Sequence, residues 1–322
     1  MSKILGVNSP KPEYLKNYII NGNFDIWQRG TSFSTITSIY TADRWHWNHY
    51  GSGFQPSSAS QATAGIENNS KYYFKHITST ATSQNIELSQ TLDADNTIPL
   101  RGKNVTLSMR VRFPTAFTTS ATAYLMYHTA ETKIGAAVGT IIASVDLGAS
   151  TSWTTIILTG MVPTNAIVMG ILISNYNNIV NGAELNISKV MLNEGPVAAP
   201  FQTAGANIEE ELSMCQRYCY KLAGPASGVR SISTGTLSSS TNVGRTPIVF
   251  PVTMRITPTV TFNSLAAYDG SALSSISALA ANYTNDHTFD ADWTTSGLGG
   301  AGRATSLLLD GSTSYIQFDA EL

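Results

Sequence analysis

The sequence predicts an all-β protein: an N-terminal jelly-roll β-sandwich, one connecting helix and a small C-terminal β-sandwich. Three observations carry this. Short apolar runs recur between turn-forming clusters through most of the 322 residues. One run, Val105, Leu107, Met109, Val111 and Phe113, alternates with Thr106, Ser108, Arg110 and Arg112, so one face is buried and the other wet. Only one stretch, 206–222, carries helix-end signals. Charged residues make up 12% of the chain, about half of the usual share, and Ser, Thr, Asn, Gly and Ala take their place.

In chain order, residues 1–17 with Pro10 and Pro12 read as an extended arm, either a disordered tail or a peg for a neighbouring protein. The first domain spans 18–203. Its strand candidates are Tyr18–Ile20 and Phe24–Trp27 around an Asn21-Gly22-Asn23 turn, then Tyr40–Tyr50, Lys71–Ile77, Val105–Phe113 and Ala121–His128. Trp153–Leu158, Ile167–Ser174 and Leu185–Leu192 follow. Strands this short and numerous fit a sandwich or jelly roll better than a barrel around a channel.

The helix signals begin with Asn207 and Glu210 in capping-box spacing, and Glu209, Glu210 and Glu211 place negative charge in the first turn. Arg217 and Lys221 sit at the other end, before Gly224-Pro225. Ile208, Leu212, Cys215, Cys219 and Leu222 are spaced 4, 3, 4, 3, an a/d seam over two heptads. Such a seam either lays a stripe on its own domain or packs against copies of itself about a symmetry axis. After the linker Ala223–Ser227, residues 226–322 return to β, with candidates Ile248–Met254, Thr257–Asn263, Ala304–Leu309 and Tyr315–Phe318. That length suits one small sandwich.

Several function classes are excluded at this level. Nineteen basic and 21 acidic residues give a net charge of −2 with no basic stripe, so nucleic acid is not an expected partner. No apolar run reaches the roughly 18 residues of a membrane span, and Met1–Leu5 carries no signal-peptide pattern. A chain made in a reducing cytoplasm is expected, because two cysteines make no disulfide framework. No Gly-x-Ser-x-Gly elbow exists, and none of the five histidines has a context that names it a base. Asp43, His46 and His49 could share a metal only on a helix or bulge, because an odd spacing on a strand sends His46 and His49 to opposite faces. Asp93/Asp95 and Asp290/Asp292 are neighbours on one strand rather than opposed acid and base. Gly297–Gly302 matches Gly-x-Gly-x-x-Gly but runs towards a strand instead of opening a helix. The expectation is therefore no catalytic residue and no metal site.

Recognition remains. Sugar binders use aromatic faces and amides and need little net charge. By alternation Trp45, Trp47 and His49 share one face while Arg44, His46, Asn48 and Tyr50 share the other, and one face must be core. Trp45 and Trp47 fit the interior. The ligand-binding candidates are Trp47, Tyr50, Asn175, Tyr176, Asn177 and Trp293.

Residues 18–30, Tyr-Ile-Ile-Asn-Gly-Asn-Phe-Asp-Ile-Trp-Gln-Arg-Gly, followed by Tyr40-Thr41-Ala42-Asp43-Arg44-Trp45, resemble the opening of a domain found in bacteriophage tail-fibre and related virion proteins. Val190–Gly195 with Pro200-Phe201 resembles its closing strand. Glu211–Lys221 is similar to the Cys-Gln-Arg-Tyr-Tyr helix that follows, with Cys219 in place of the second Tyr, and Phe250–Arg255 with Thr257-Pro258-Thr259 is similar to the C-terminal domain. The resemblance covers most of 18–262. It implies a jelly roll like that of carbohydrate-binding modules, a connecting helix and a terminal β-domain, assembled as a homotrimer on a virion.

Those modules often hold a structural calcium near an Asn-Gly-x-Phe-Glu start. Here Asp25 replaces the Glu and Ser188 stands where an Asp is usual, so no cofactor is expected. The resulting expectation is a trimeric fibre or spike of a tailed phage that attaches to host surface polysaccharide, with the seam from Ile208 to Leu222 as trimer contact and the arm docking to other virion proteins. The alternatives are a head-decorating or tail-connecting structural protein without a glycan ligand, and a polysaccharide depolymerase.

Overall fold

The computed structural model describes residues 16–34, 38–50, 57–63, 70–78, 85–115, 121–175, 181–238, 242–298 and 301–322, the side chains of His49, Tyr50, Asn85 and Asn175 excepted. Its contacts divide the chain into two units, Met1–Glu211 with Leu322, and Leu212–Glu321.

The first unit is a two-sheet, antiparallel β-sandwich of jelly-roll type. One sheet holds, in spatial order, β1 (Ser32–Ser34), β4 (Ser57–Ala62), β5 (Tyr73–Thr78), β12 (Glu184–Glu194), β7 (Asn104–Arg112) and β10 (Thr154–Met161). The other holds β2 (Ser38–Tyr40), β3 (His46–Tyr50), β6 (Asn85–Leu92), β11 (Val168–Asn175), β8 (Ala121–His128) and β9 (Thr140–Asp146). A short helix α1 (Ala94–Thr97), capped by Asp93, follows β6.

The core between the sheets follows the expected alternation. Val105, Leu107, Met109, Val111 and Phe113 are all buried in it. Their outward neighbours divide: Arg110 and Arg112 are half-buried, whereas Thr106 and Ser108 are buried too. The reason is the segment after β12, where Gly195 O accepts a 2.7 Å hydrogen bond from Thr106 Oγ1.

The segments Tyr18–Ile20 and Phe24–Trp27 are not strands but a buried turn. Asn21, at φ 57°, donates through Nδ2 to Ile26 O and Asp43 O and accepts from Ile26 N. An Asn tolerates this left-handed position and satisfies backbone groups that no ladder reaches. Gly22 lies against the last strand, where a Cβ would stand 2.0 Å from Val190 O. Phe24 packs on Trp45 at 4.8 Å, and Trp45 Nε1 donates to Asn21 O. The motif that carries the family resemblance is thus an architectural knot. Asn17 belongs to it rather than to an arm: it is buried, and its amide bridges Ile19 N, Leu192 N, Val190 O and Gln202 O. The rest of the expected arm, apart from Lys16, lies outside the described residues.

Helix α2 (Ile208–Gln216) starts as read. Asn207 Oδ1 accepts from Glu210 N at 2.9 Å, and Glu210 Oε2 accepts from Ala206 N at 2.7 Å. It ends earlier than read. Cys219 and Leu222 lie on β13 (Cys219–Ala223), opposite Asp319 and Ile316 of β21 (Tyr315–Asp319). The five-residue seam is therefore not one helical stripe: Ile208, Leu212 and Cys215 are helical, and Cys219 and Leu222 are not. The physical reason is that Tyr218 to Leu222 also fits a strand, and Tyr220 stacks at 6.0 Å on Phe318.

Glu211, in the first unit, is nearly fully buried, and its carboxylate accepts from Asn21 N and Gly205 N. Burial, opposed by those two donors, pushes its carboxyl above the usual range. Glu211→Gln replaces one acceptor with an NH₂ that faces a backbone N–H. The expected cost is about 1–3 kcal/mol, read as a lower urea midpoint.

In the second unit β13, β21 and β16 (Thr259–Asn263) form a three-stranded sheet. The remaining strands close into a barrel in the order β14 (Val229–Leu237), β15 (Val243–Val249), β19 (Thr288–Thr295), β18 (Leu273–Ala281), β17 (Leu265–Tyr268) and β20 (Ala304–Asp310). The all-β class holds here as well, with a closed barrel where a second small sandwich was expected. Closure leaves the barrel without a free edge except where β14 meets β15 at only two residue pairs.

Candidate functional site

Two of the six sequence-derived ligand candidates are buried in the cores. Trp47 is 1% exposed and sits in the sandwich core, its ring edge-on to His76 at 5.6 Å. Trp293 is fully buried inside the barrel. Both are corrected from ligand to core, because a large ring on the inward face of a strand supplies apolar area the interior needs. Tyr50 and Asn175 are brought near one another by β6, as the backbone partners of Asn85 and Ile86. Tyr176 and Asn177 lie outside the described residues.

With Trp47 inside, alternation turns His46 and Asn48 to the outer face of the second sheet. There they meet Glu87 on β6, because His46 pairs with Ser89 and Asn48 with Glu87. The segment between β8 and β9 folds back over this face. Ile134 enters an apolar cluster with Met126, Val168 and Leu172, and its N–H donates to Thr91 Oγ1 at 2.9 Å. Gly135 and Val138 then close a tight turn through reciprocal backbone hydrogen bonds. Between this turn and the sheet a cavity of about 150 Å³ remains, lined by Ser38, His46, Asn48, Glu87, Lys133 and residues 134–138.

The polar groups in it are closely coupled. Lys133 Nζ and Ser38 Oγ each lie 2.9 Å from His46 Nε2. The ammonium can only donate, so this nitrogen is the acceptor and the imidazole is neutral. Burial, reinforced by the Lys133 charge, holds the His46 pKa down at about 3. Glu87 is 3% exposed; its Oε2 accepts from Ala136 N at 3.3 Å, and its Oε1 has no hydrogen bond among the described residues. Burial raises its pKa, against the Ala136 N–H and the Asn48 amide, which favour the charge. Tyr40 meets the His46 ring edge-on at 5.1 Å, and Lys133 Nζ stands 5.9 Å from its centroid. The arrangement holds one buried acceptor with no hydrogen bond among the described residues, amide and ammonium donors, and an aromatic edge. That set suits hydroxyl-bearing ligands.

His46 also predicts a pH dependence. Its folded pKa lies below the ordinary value near 6.5, so the unfolded chain takes up a proton first as pH falls. Stability contributed by neutral His46 is present above about pH 6.5 and is lost towards pH 3. His46→Gln is expected to flatten that part of a stability-versus-pH profile measured by urea denaturation.

Phe24 O and Asp25 O both accept from Gln61 Nε2, and Asn23 Oδ1 accepts from Ser70 Oγ. Among the described residues no group of three His, Cys, Asp or Glu could hold a metal. Asp292 is tied to Arg245 at 2.7 Å, and Asp93 accepts from Asn96. No helix among the described residues is long and apolar enough to cross a membrane.

Sequence reasoning missed Glu87, Lys133, Ser38 and Tyr40. The signal for Glu87 was its alternation with Ile86 and Leu88, the same pattern that identified β7.

No protein-family model matches this sequence, and no curated protein matches it. Solved structures do. A structure described as "CBM4 structure and function" matches at 15% identity and TM-score 0.35, covering 54% of this chain and 98% of that one. The C-terminal family 22 carbohydrate-binding module of Clostridium thermocellum Xyn10B matches at 11% identity and TM-score 0.37, covering 58% of this chain and 100% of that one. The enzymatically active domain of Bacteriophage CBA120 tailspike protein 4 matches at 13% identity and TM-score 0.36, covering 57% of this chain and 22% of that one.

Proposed function

We propose that this chain is a glycan-binding virion protein of a tailed phage, a trimeric fibre or spike that attaches to host surface polysaccharide. The observation that carries glycan binding is the cavity under the 134–138 turn. A buried carboxylate oxygen that has no hydrogen bond among the described residues is costly unless a donor completes it, and a sugar hydroxyl is such a donor. Lys133, Asn48 and Ser38 would hold neighbouring hydroxyls. The virion setting and the trimer are supported by the sequence resemblance over 18–262. In such an assembly weak sites add up, because linked sites bind at high effective concentration. The N-terminal arm would dock to other virion proteins.

A second reading, a structural virion protein without a glycan ligand, is favoured by one observation. The cavity, at about 150 Å³, is below the usual range of roughly 300–1,000 Å³ for small-molecule sites, and Ile134 already fills much of the face. A glycan array and host-cell binding assay on the full chain, with mass in solution measured on the same sample, separates the two. Binding by a trimer, competed by free host polysaccharide, supports attachment. A trimer that binds neither glycans nor cells leaves the structural reading, and a monomer contradicts the fibre.

A further inference from the structure

A second pocket, of different chemistry, is built on the outer face of the opposite sheet. Arg110 on β7 is held in place there, with Nη1 donating to Thr155 Oγ1 at 2.6 Å and Nη2 to Trp153 O at 2.9 Å. Beside it β12 loses register with β7 between Ser188 and Met191. Within this bulge Lys189 adopts φ 51°, a left-handed conformation unusual for a long side chain. Bulges re-aim side chains, and Lys189 lines the resulting pocket. Ser188 Oγ next to it is fully buried without a hydrogen bond among the described residues. The segment after β12 crosses the same face and contributes Phe201.

The pocket holds about 190 Å³ and is lined by Ser108, Arg110, Thr155, Lys189 and Phe201, with Met109, Ala198 and Ala199. It combines two cations, two hydroxyls and one aromatic ring, and among the described residues no carboxylate lines it. Two positive groups beside a ring match a sugar that carries an acid: the carboxylate takes charge-assisted hydrogen bonds and the pyranose face covers the ring. Next to it, Arg112 stacks over Trp153 at 4.8 Å and over Tyr73 at 5.3 Å. Trp153 is half-exposed.

We infer that this pocket binds one uronic acid residue of an acidic polysaccharide, its carboxylate between Arg110 and Lys189 and its ring against Phe201. The inference rests on the glycan reading for its class of ligand, but it assigns a separate site with the opposite charge preference from the Glu87 cavity.

The test is calorimetric titration of the full chain with oligogalacturonate and, in parallel, with neutral oligosaccharides chosen from the array. Lys189→Asn removes the charge while keeping a residue that tolerates the left-handed backbone, and Phe201→Ala removes the ring. The expected result is that each weakens oligogalacturonate binding about tenfold, that Lys189→Asn reduces its salt dependence, and that Glu87→Gln leaves it unchanged. Absence of oligogalacturonate binding by the wild type overturns the inference, as does wild-type affinity in both variants or loss of uronate binding in Glu87→Gln. If neutral sugars bind and oligogalacturonate does not, only this inference falls. If neither binds, the glycan reading falls with it.

Discussion

Trp45→Ala is expected to cost about 3–5 kcal/mol, the range for removing a large aromatic from a packed core. Trp45 is fully buried, its ring meets Phe24 at 4.8 Å, and its Nε1–H is the donor to Asn21 O. Removing it leaves a cavity and orphans a carbonyl in the turn that ties residues 17–27 to the last strand of the sandwich. Against a typical total of roughly 5–15 kcal/mol, the loss approaches the whole stability of the unit. In urea the midpoint should fall steeply with little change in m. A variant within about 1 kcal/mol of the wild type would show that the Asn21–Trp45 knot is not what holds the first unit together.

Trp293→Ala is expected to cost a similar amount, in the second unit. The ring fills the barrel, its Nε1 donates to Thr246 Oγ1 at 2.9 Å, and Gly244 lies so close that a Cβ there would stand 2.0 Å from the ring. Loss of the ring leaves a cavity and an unpaired hydroxyl, about 3–5 kcal/mol together. The outcome also separates core from ligand roles. A core tryptophan lowers stability and leaves the glycan affinity of the surviving folded protein unchanged. Lost binding at unchanged stability would return Trp293 to the list of stacking residues.

Legibility in the sequence followed how much apolar contrast each element carried. Val105–Phe113 reads correctly because five apolar residues alternate with polar ones. The start of α2 reads correctly because Asn207 and Glu210 have a single local way to satisfy the first N–H groups. Its end does not, because Cys215, Cys219 and Leu222 keep helical spacing while the aromatic pairing of Tyr220 with Phe318 makes a strand the better burial. Strands such as Ser57–Ala62, Ser-Ser-Ala-Ser-Gln-Ala, and Leu273–Ala281 carry too little hydrophobic contrast to announce themselves. The barrel is built from several such strands, so its closure was hidden.

The site was legible in part. Alternation correctly grouped Trp45 with Trp47 and His46 with Asn48 on opposite faces of 44–50, but it did not say which face is core, and Trp47 stood among the ligand candidates until its burial turned His46 and Asn48 outward. What it could not supply was the partner. Glu87 and Lys133 reach His46 and Asn48 through a strand pairing and a loop that are remote in sequence, and neither carries a local motif. The pockets on both sheets are therefore properties of tertiary pairing, made by ordinary residues in unremarkable sequence contexts.

The central claim is that the Glu87 cavity accepts a sugar hydroxyl, and titration of the best neutral array ligand into wild type and Glu87→Gln tests it most directly. The substitution keeps size and leaves an amide oxygen for Ala136 N–H, so unfolding midpoints should agree within about 1 kcal/mol. The account predicts an affinity loss of about tenfold, or 1.4 kcal/mol. Equal affinity in the two proteins, with the fold intact, would contradict it.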